Sequence, residues 1–282
     1  MIKKGIILAG GKGTRMSPLT KAVNKQLLPI HDKPLIFYPL SILMLAGIKE
    51  VLIIVNQGQL EQYKKIIPDG KNFGMKIDYI EQKKPNGLPE AFILGEKFIK
   101  NQNVCLILGD NFFYGQNLTK ILRSCTKLKN GAKVLLHRVN KPENFGVAKV
   151  IGKKIKNIKE KPKKFISDLA ITGLYFFDKK VCKFAKQLKP SKRGEIEIVD
   201  LLNKYLKDKK LSAELIGRGG AWLDTGSIED FYKTSAFVSA IENRQGFKIA
   251  CLEEIAFNNK WINKKQLLRA VKFYGNCAYS NY

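Results

Sequence analysis

Ile6-Ile7-Leu8-Ala9-Gly10-Gly11-Lys12-Gly13-Thr14-Arg15, near the start of the 282-residue chain, is the stretch whose reading decides the fold. A short apolar run without a polar break reads as a strand buried on both faces, the kind found in parallel sheets. Three glycines within four residues then let the backbone turn sharply, approach a ligand closely and aim N–H groups at phosphate oxygens. Arg15 adds a planar fork suited to phosphate. The spacing excludes a P-loop, which needs G-x-x-x-x-G-K-[ST], and also the dinucleotide fingerprint, because Met16 stands where its third glycine would fall. An ordinary glycine turn remains the competing reading.

Working outward, the same alternation repeats. Leu35 to Ile48 reads as a helix closed near Gly47, and Val51 to Val55 as a second buried strand. A short helix spans Leu60 to Ile67, and Lys76 to Ile80 alternates like a strand covered on one face. A helix from Pro89 to Ile99 and a strand from Val104 to Leu108 follow. Strand-helix alternation predicts an α/β fold with ligands at the carboxyl ends of the strands. Further strands are expected over Lys133 to Arg138, Val147 to Val150, Ile155 to Ile158 and Ala170 to Phe177. A helix is expected from Arg193 to Leu206, and a long one from Ile228 to Arg244.

Several side chains fall at those strand ends. Gln82 and Gly87 occupy a turn-rich loop, and a glutamine amide can match the imide edge of thymine or uracil. Asp110 follows the strand Val104 to Leu108 beside Gly109, where a ligand for a catalytic Mg²⁺ is expected in phosphoryl or nucleotidyl transfer. A second carboxylate able to meet it is Asp224, in Trp222-Leu223-Asp224-Thr225-Gly226. A capping or turn role is the alternative for Asp110, and an exposed ion pair for Glu160 and Lys161. His31 and His137 have no partner pattern and read as structural.

G-G-x-G-T-R, then Lys25-Gln26-Leu27-Leu28-Pro29, then Asp32-Lys33-Pro34-Leu35-Ile36 together resemble the sugar-1-phosphate nucleotidylyltransferases, over nearly the whole chain. The resemblance implies a Rossmann-like three-layer α/β/α nucleotidyltransferase fold, with a mixed, mostly parallel sheet and a C-terminal helical appendage. It assigns the nucleotide triphosphate to Gly10, Gly11, Gly13, Thr14, Arg15, Lys25 and Gln26, and the base to Gln82 and Gly87. It pairs Asp110 with Asp224 on Mg²⁺. It places the sugar phosphate on Gly146, Glu160, Lys161, Thr172, Gly173 and Glu195. The implied reaction joins glucose 1-phosphate to dTTP, releasing pyrophosphate, in a cytoplasmic homotetramer. A catalytic region over 1–245 would divide into a nucleotide half (about 1–138) and a sugar half (about 139–226), with 246–282 near subunit contacts. Relatives often carry tyrosine where Phe145 stands. A UTP- or CTP-dependent enzyme would share the glycine loop.

Composition narrows the alternatives. The net charge of +27 invites a nucleic-acid reading, but only seven of the 51 basic residues are arginine and the lysines are spread along the chain. A nucleic-acid site is expected to be local, with arginine and aromatics for base contacts. No specific nucleic acid and no membrane is therefore expected; no apolar run reaches the length of a span. Met1-Ile2-Lys3-Lys4 leads directly into the first strand, so no signal peptide is expected. Five scattered cysteines without C-x-x-C pairs argue against a disulfide framework or zinc site and for a reducing compartment.

Overall fold

A computed structural model describes residues 1–11, 13–152, 154–192 and 194–282. Lys12 of the glycine loop and Arg193, expected at a helix start, lie outside the described residues. The chain opens with β1 (Lys4–Ala9), crosses the hairpin β2 (Pro29–Ile30) and β3 (Lys33–Pro34), and enters α1 (Phe37–Leu45). It continues through β4 (Glu50–Asn56), α2 (Leu60–Ile66), β5 (Lys76–Gln82), α3 (Glu90–Leu94), α4 (Glu96–Ile99) and β6 (Val104–Leu108). Next come β7 (Asn111–Gly115), α5 (Leu118–Cys125), β8 (Ala132–Arg138), β9 (Gly146–Ile151), β10 (Lys154–Glu160) and β11 (Leu169–Phe177). The last part holds α6 (Val181–Lys186), α7 (Ile198–Lys207), β12 (Leu211–Leu215), β13 (Gly220–Asp224) and α8 (Ile228–Gln245). Three helices end the chain: α9 (Leu252–Asn258), α10 (Lys264–Tyr274) and α11 (Ala278–Asn281).

Nine strands form one mixed sheet in the order β10-β9-β11-β6-β1-β4-β5, with β8 also on β11 and β12 on β8. β1 is parallel to β4 and β6, and β4 to β5, whereas β11 runs antiparallel to β6 and β8. The register explains the uninterrupted apolar runs. Ile7 lies level with Ile53 and Ile107, and all three enter one core with α1 and α9; Ile6, Leu52 and Leu106 enter the core on the opposite face with α3, α6 and α7. Covered on both sides, these strands have no polar face to show. β1 has β4 on one side and β6 on the other, so the chain reverses its direction across the sheet there. The crevice beyond the carboxyl ends of β1 and β6 is where such sheets bind ligands.

Two expectations are corrected, and one strand pair was not expected. The helix expected over Pro89 to Ile99 is two short ones meeting at Gly95, where a Cβ would fall 2.8 Å from the Ala91 oxygen and 3.0 Å from Ile6 Cδ1. The close approach of this turn to the sheet breaks the helix. The helix expected from position 193 begins at Ile198, so Glu195, in a bend, and Glu197, the extended residue that caps it, precede it rather than sitting in its first turn. Asp224 ends a strand, β13, that pairs antiparallel with β7. The C-terminal helices are present as expected, but α9 is part of the main core, with Leu252 and Ala256 fully buried.

Candidate active site

The glycine loop leaves β1 at the switch point and is held by side chains from β4. Asn56, the last residue of β4, accepts from Gly11 N–H and donates to Gly11 O, both at 2.9 Å, a reciprocal pair that fixes the turn. Gly11 needs its freedom, since its φ is 109°. Thr20 Oγ1 donates to Gly13 O at 2.8 Å, which closes the loop from below. Gly10 passes Gln82 so closely that a Cβ would sit 2.4 Å from Gln82 Oε1. Gln82, at the end of β5, is buried (4% exposed). Gly11, Asn24, Lys25, Asn56, Gln59 and Gln82 line a cleft of about 260 Å³.

Lys25 connects this cleft to the next. Asn24 caps the short turn that carries it, accepting from Gln26 N–H at 3.0 Å while Tyr63 donates to the same oxygen at 2.8 Å. The Lys25 ammonium is mostly buried and ion-paired to Asp110. Asp110 sits just past β6, and the β7–β13 ladder sets Asp224 opposite Asn111, one residue away. Thr225 strengthens the joint by donating both its N–H and its hydroxyl to Asp110 O, at 3.1 and 2.8 Å. The two carboxylates respond differently to this crowding. Burial weighs against charge on Asp110, but Lys25 and the Asn111 amide outweigh it and hold its pKa below the usual value. Asp224 is pushed up to about 6 by burial and then by the Asp110 charge, with Lys25 and Arg15 only partly offsetting them. Two carboxylate oxygen donors, one of them short of positive charge, suit a hard divalent cation.

A second cavity, of about 340 Å³, opens on the other side of these carboxylates. Arg15, Asp110, Gly146, Glu160, Lys161, Gly173, Glu195 and Asp224 all line it. Gly146 faces Glu160 across the β9–β10 ladder, and a Cβ there would stand 3.0 Å from Glu160 Oε2. Lys161 follows in a left-handed turn (φ 40°), its N–H donating to Phe145 O at 3.0 Å. Arg15 is exposed and its guanidinium lies over Gly226, where a Cβ would come within 2.8 Å of Nη2.

Other expected residues lie outside the cleft walls. Thr172 is fully buried and donates its hydroxyl to Leu135 O at 3.1 Å, so its neighbours Ile171 and Gly173 line the cavity and it does not. Gln26 is buried under Gly109, where a Cβ would be 3.1 Å from its Cγ. Gly87 (φ 109°) packs on Ile196, leaving Pro85 on the smaller cleft and Leu88 on the larger. Gly10, Gly13 and exposed Thr14 form the turn itself. His31 belongs, with Asp32 and Glu242, to the cluster of three metal-ligand side chains found among the described residues, but Lys33 and Lys248 already pair with both acids.

Sequence reasoning missed the polar framework. Asn111 donates to Asp110 Oδ1 (3.0 Å), while its own oxygen accepts from Gly173 N–H (3.0 Å) and Trp222 Nε1 (2.6 Å). It thereby ties β7, β11 and β13 together behind Asp110. Glycine at 173 makes room for it, since a Cβ would lie 2.5 Å from Asn111 Oδ1. Asn56 could have been found by the rule that singled out Gln82 and Asp110, because it too ends a buried strand. Asn24 and Asn111 carried no such signal beyond standing next to a flagged residue.

A model of the nucleotidyl transferase family matches residues 4–241. The chain belongs to the nucleotidyl transferase family. Within it, the chain is 50% identical over 280 residues to a glucose-1-phosphate thymidylyltransferase of Neisseria gonorrhoeae, covering 99% of this chain and 97% of that one. A protein of the same name from Xanthomonas campestris pv. campestris (strain B100) is 47% identical over 268 residues, covering 95% and 91%. Among solved structures, a Bacillus anthracis protein in complex with sucrose superposes with a TM-score of 0.77 at 40% identity, covering 83% of this chain and 94% of that one. A UDP-glucose pyrophosphorylase complexed with UDP-glucose gives a TM-score of 0.75 at 28% identity, over 87% and 100%.

Proposed function

We propose that this nucleotidyl transferase joins glucose 1-phosphate to the thymidylyl group of dTTP, giving dTDP-glucose and pyrophosphate, with Mg²⁺ as its metal. The observation that carries the reading is the Lys25–Asp110 pair standing between two unlike clefts. One is walled by a glycine turn and amides, the other by Glu160, Lys161 and Glu195. The names of its relatives in Neisseria and Xanthomonas point to the same sugar phosphate and base.

A sugar phosphate is already an anionic nucleophile at neutral pH, so the chain needs no general base. Its task is to bring two anions together in line and stabilise charge gathering on the departing pyrophosphate. The backbone of the glycine turn and the Arg15 fork hold the triphosphate. Lys161 neutralises the incoming sugar phosphate, while Glu160 and Glu195 accept from sugar hydroxyls. Lys25 supplies positive charge at the α-phosphate and keeps Asp110 ionised. Asp110 and Asp224 would hold the Mg²⁺, which supplies Lewis-acid stabilisation of the triphosphate's charge when bound.

The reaction is tested by pyrophosphate release with glucose 1-phosphate and dTTP, UTP, CTP, ATP or GTP in parallel. Release with dTTP in excess of the others is expected; release only with a different nucleotide overturns the base assignment, and none with any overturns the reaction. We also assign the enzyme to the cytoplasm as a homotetramer, with 246–282 near the subunit contacts. Exposed apolar side chains at Phe257, Leu268 and Phe273 support that placement. Among the described residues no helix is long and apolar enough to cross a membrane. Light scattering that gives a monomer mass would refute the assembly.

A further inference from the structure

Glu90, at the start of α3, is the acid that holds the amide of Gln82. Its carboxylate takes three hydrogen bonds: from Gln82 Nε2 at 2.5 Å, from the Asn86 N–H at 3.1 Å and from Asn86 Nδ2 at 2.7 Å. An ionised carboxylate can only accept. The nitrogen of the Gln82 amide therefore faces Glu90, which removes the two-way ambiguity a glutamine amide otherwise has. The oxygen is left on the opposite side, against Gly10 and in the smaller cleft. No described residue donates to it, although Gln82 as a whole is almost entirely buried.

We propose that Glu90 is a positioning residue that fixes Gln82 as a hydrogen-bond acceptor toward the nucleotide base and thereby selects a base with an imide N–H. The proposal rests on the functional reading above, in which Gln82 meets the base. Thymine and uracil offer a donor at N3. Cytosine offers a lone pair there, which would face the lone pairs of Gln82 Oε1, so the contact that pairs with thymine or uracil becomes a repulsive one. With the amide turned over, the same glutamine would donate to N3 of cytosine. Glu90 decides which of these edges the base meets. The thymine methyl group plays no part in that contact, so Glu90 has no influence on the choice between thymine and uracil.

The test is the isosteric variant E90Q, assayed for kcat/KM with dTTP, dCTP and dUTP against glucose 1-phosphate. An amide at position 90 can donate or accept, so Gln82 becomes free to turn. The expected result is dTTP turnover within about threefold of the parent, a dTTP-over-dCTP preference reduced roughly tenfold or more, and an unchanged dTTP-over-dUTP preference. An unchanged dTTP-over-dCTP ratio overturns the proposal. So does a parallel fall in both ratios, which would mean a loosened pocket, or an equal loss with all three nucleotides. The exchange variant carrying Q82E with E90Q swaps the two groups. Its amide on α3 can donate to its carboxylate on β5, and an acceptor faces the cleft again, so the thymine preference returns; its failure to return also counts against the lock. Calorimetric titration of the three nucleotides without sugar phosphate reads the same preference without turnover. Failure of the proposed reaction is thereby separated from failure of the proposed selectivity.

Discussion

Replacing either of the paired carboxylates by its amide is expected to stop turnover, yet the two variants should move stability in opposite directions. Asp110 is the partner of a mostly buried lysine, so D110N leaves the Lys25 ammonium without its counter-charge and lowers the melting temperature. Asp224 is the crowded member, its pKa raised to about 6, so ionising it costs the folded state more than the unfolded one. D224N removes that cost and raises the melting temperature at pH 7. The sign follows from the shift: the cost is absent at low pH, where Asp224 is protonated in both states, grows as pH rises from the ordinary value of 3.8, and levels off above about 6. Thermal melts of both variants from pH 4 to 7 with a chelator present check this; a D224N gain that is the same at both ends would contradict it. Gly173 belongs to the same scale. G173A drives a Cβ to within 2.5 Å of Asn111 Oδ1 and is expected to cost about 1–3 kcal/mol, measured by urea unfolding. Asp110 was legible because it follows a buried strand at the sheet's switch point, and Asp224 as the second carboxylate able to meet it. Asn111 and Glu90 were not, because a residue that only orients another leaves no spacing pattern of its own.

At the scale of elements, the hairpin β2–β3 and the far end of α8 are joined by buried charges. Lys33 pairs with Asp32 and, at 3.0 Å, with Glu242, and Lys248 pairs with Asp32 and, at 3.5 Å, with Glu242. Glu242 also accepts from Ile249 N–H at 2.7 Å. The hairpin follows the Lys25 turn and α8 follows Asp224, so this clasp braces the two segments that meet at the carboxylate pair. K33M leaves the acids with half their counter-charge and should cost about 3 kcal/mol in urea unfolding. Burial works against charge on Asp32, but Lys248 and Lys33 prevail and lower its pKa. Its contribution is therefore present above the ordinary value of 3.8 and lost as pH falls below it. The gap between the parent and K33M is expected to narrow in that acid range. The central strands were legible because apolar runs buried on both faces have few other uses. β7 and β13 were hidden by glycines and an asparagine at their ends, and they were needed to bring Asp224 to Asp110. The false helix start at 193 has a physical origin too: acidic residues favour a first helical turn, but Glu195 and Glu197 line the larger cavity instead.

For the whole molecule, the expected division at residue 245 is where sequence and packing part company most. The family resemblance alone made the C-terminal segment an appendage. Packing makes two different things of it. Leu252 and Ala256 of α9 are sealed from water in the main core, and Asn259 donates to Met44 O at 3.0 Å at the end of α1. Trp261 presses its backbone on Gly74, where a Cβ would fall 2.4 Å from its oxygen. By contrast α10 buries no residue fully, although Tyr279 of α11 reaches back to Phe37 with ring centres 6.3 Å apart and donates to Glu253 at 2.6 Å. A chain ending at Gln245 would open the apolar surface that α9 covers and is expected to aggregate on expression. One ending at Ile262 keeps α9 seated, loses the Tyr279 contacts, and should remain folded with a melting temperature lower by several degrees. Size-exclusion chromatography and thermal melts of the two truncations decide between these outcomes. A soluble, cooperatively melting 1–245 fragment would mean that α9 is dispensable and that the boundary legible in the sequence is also the boundary of the fold.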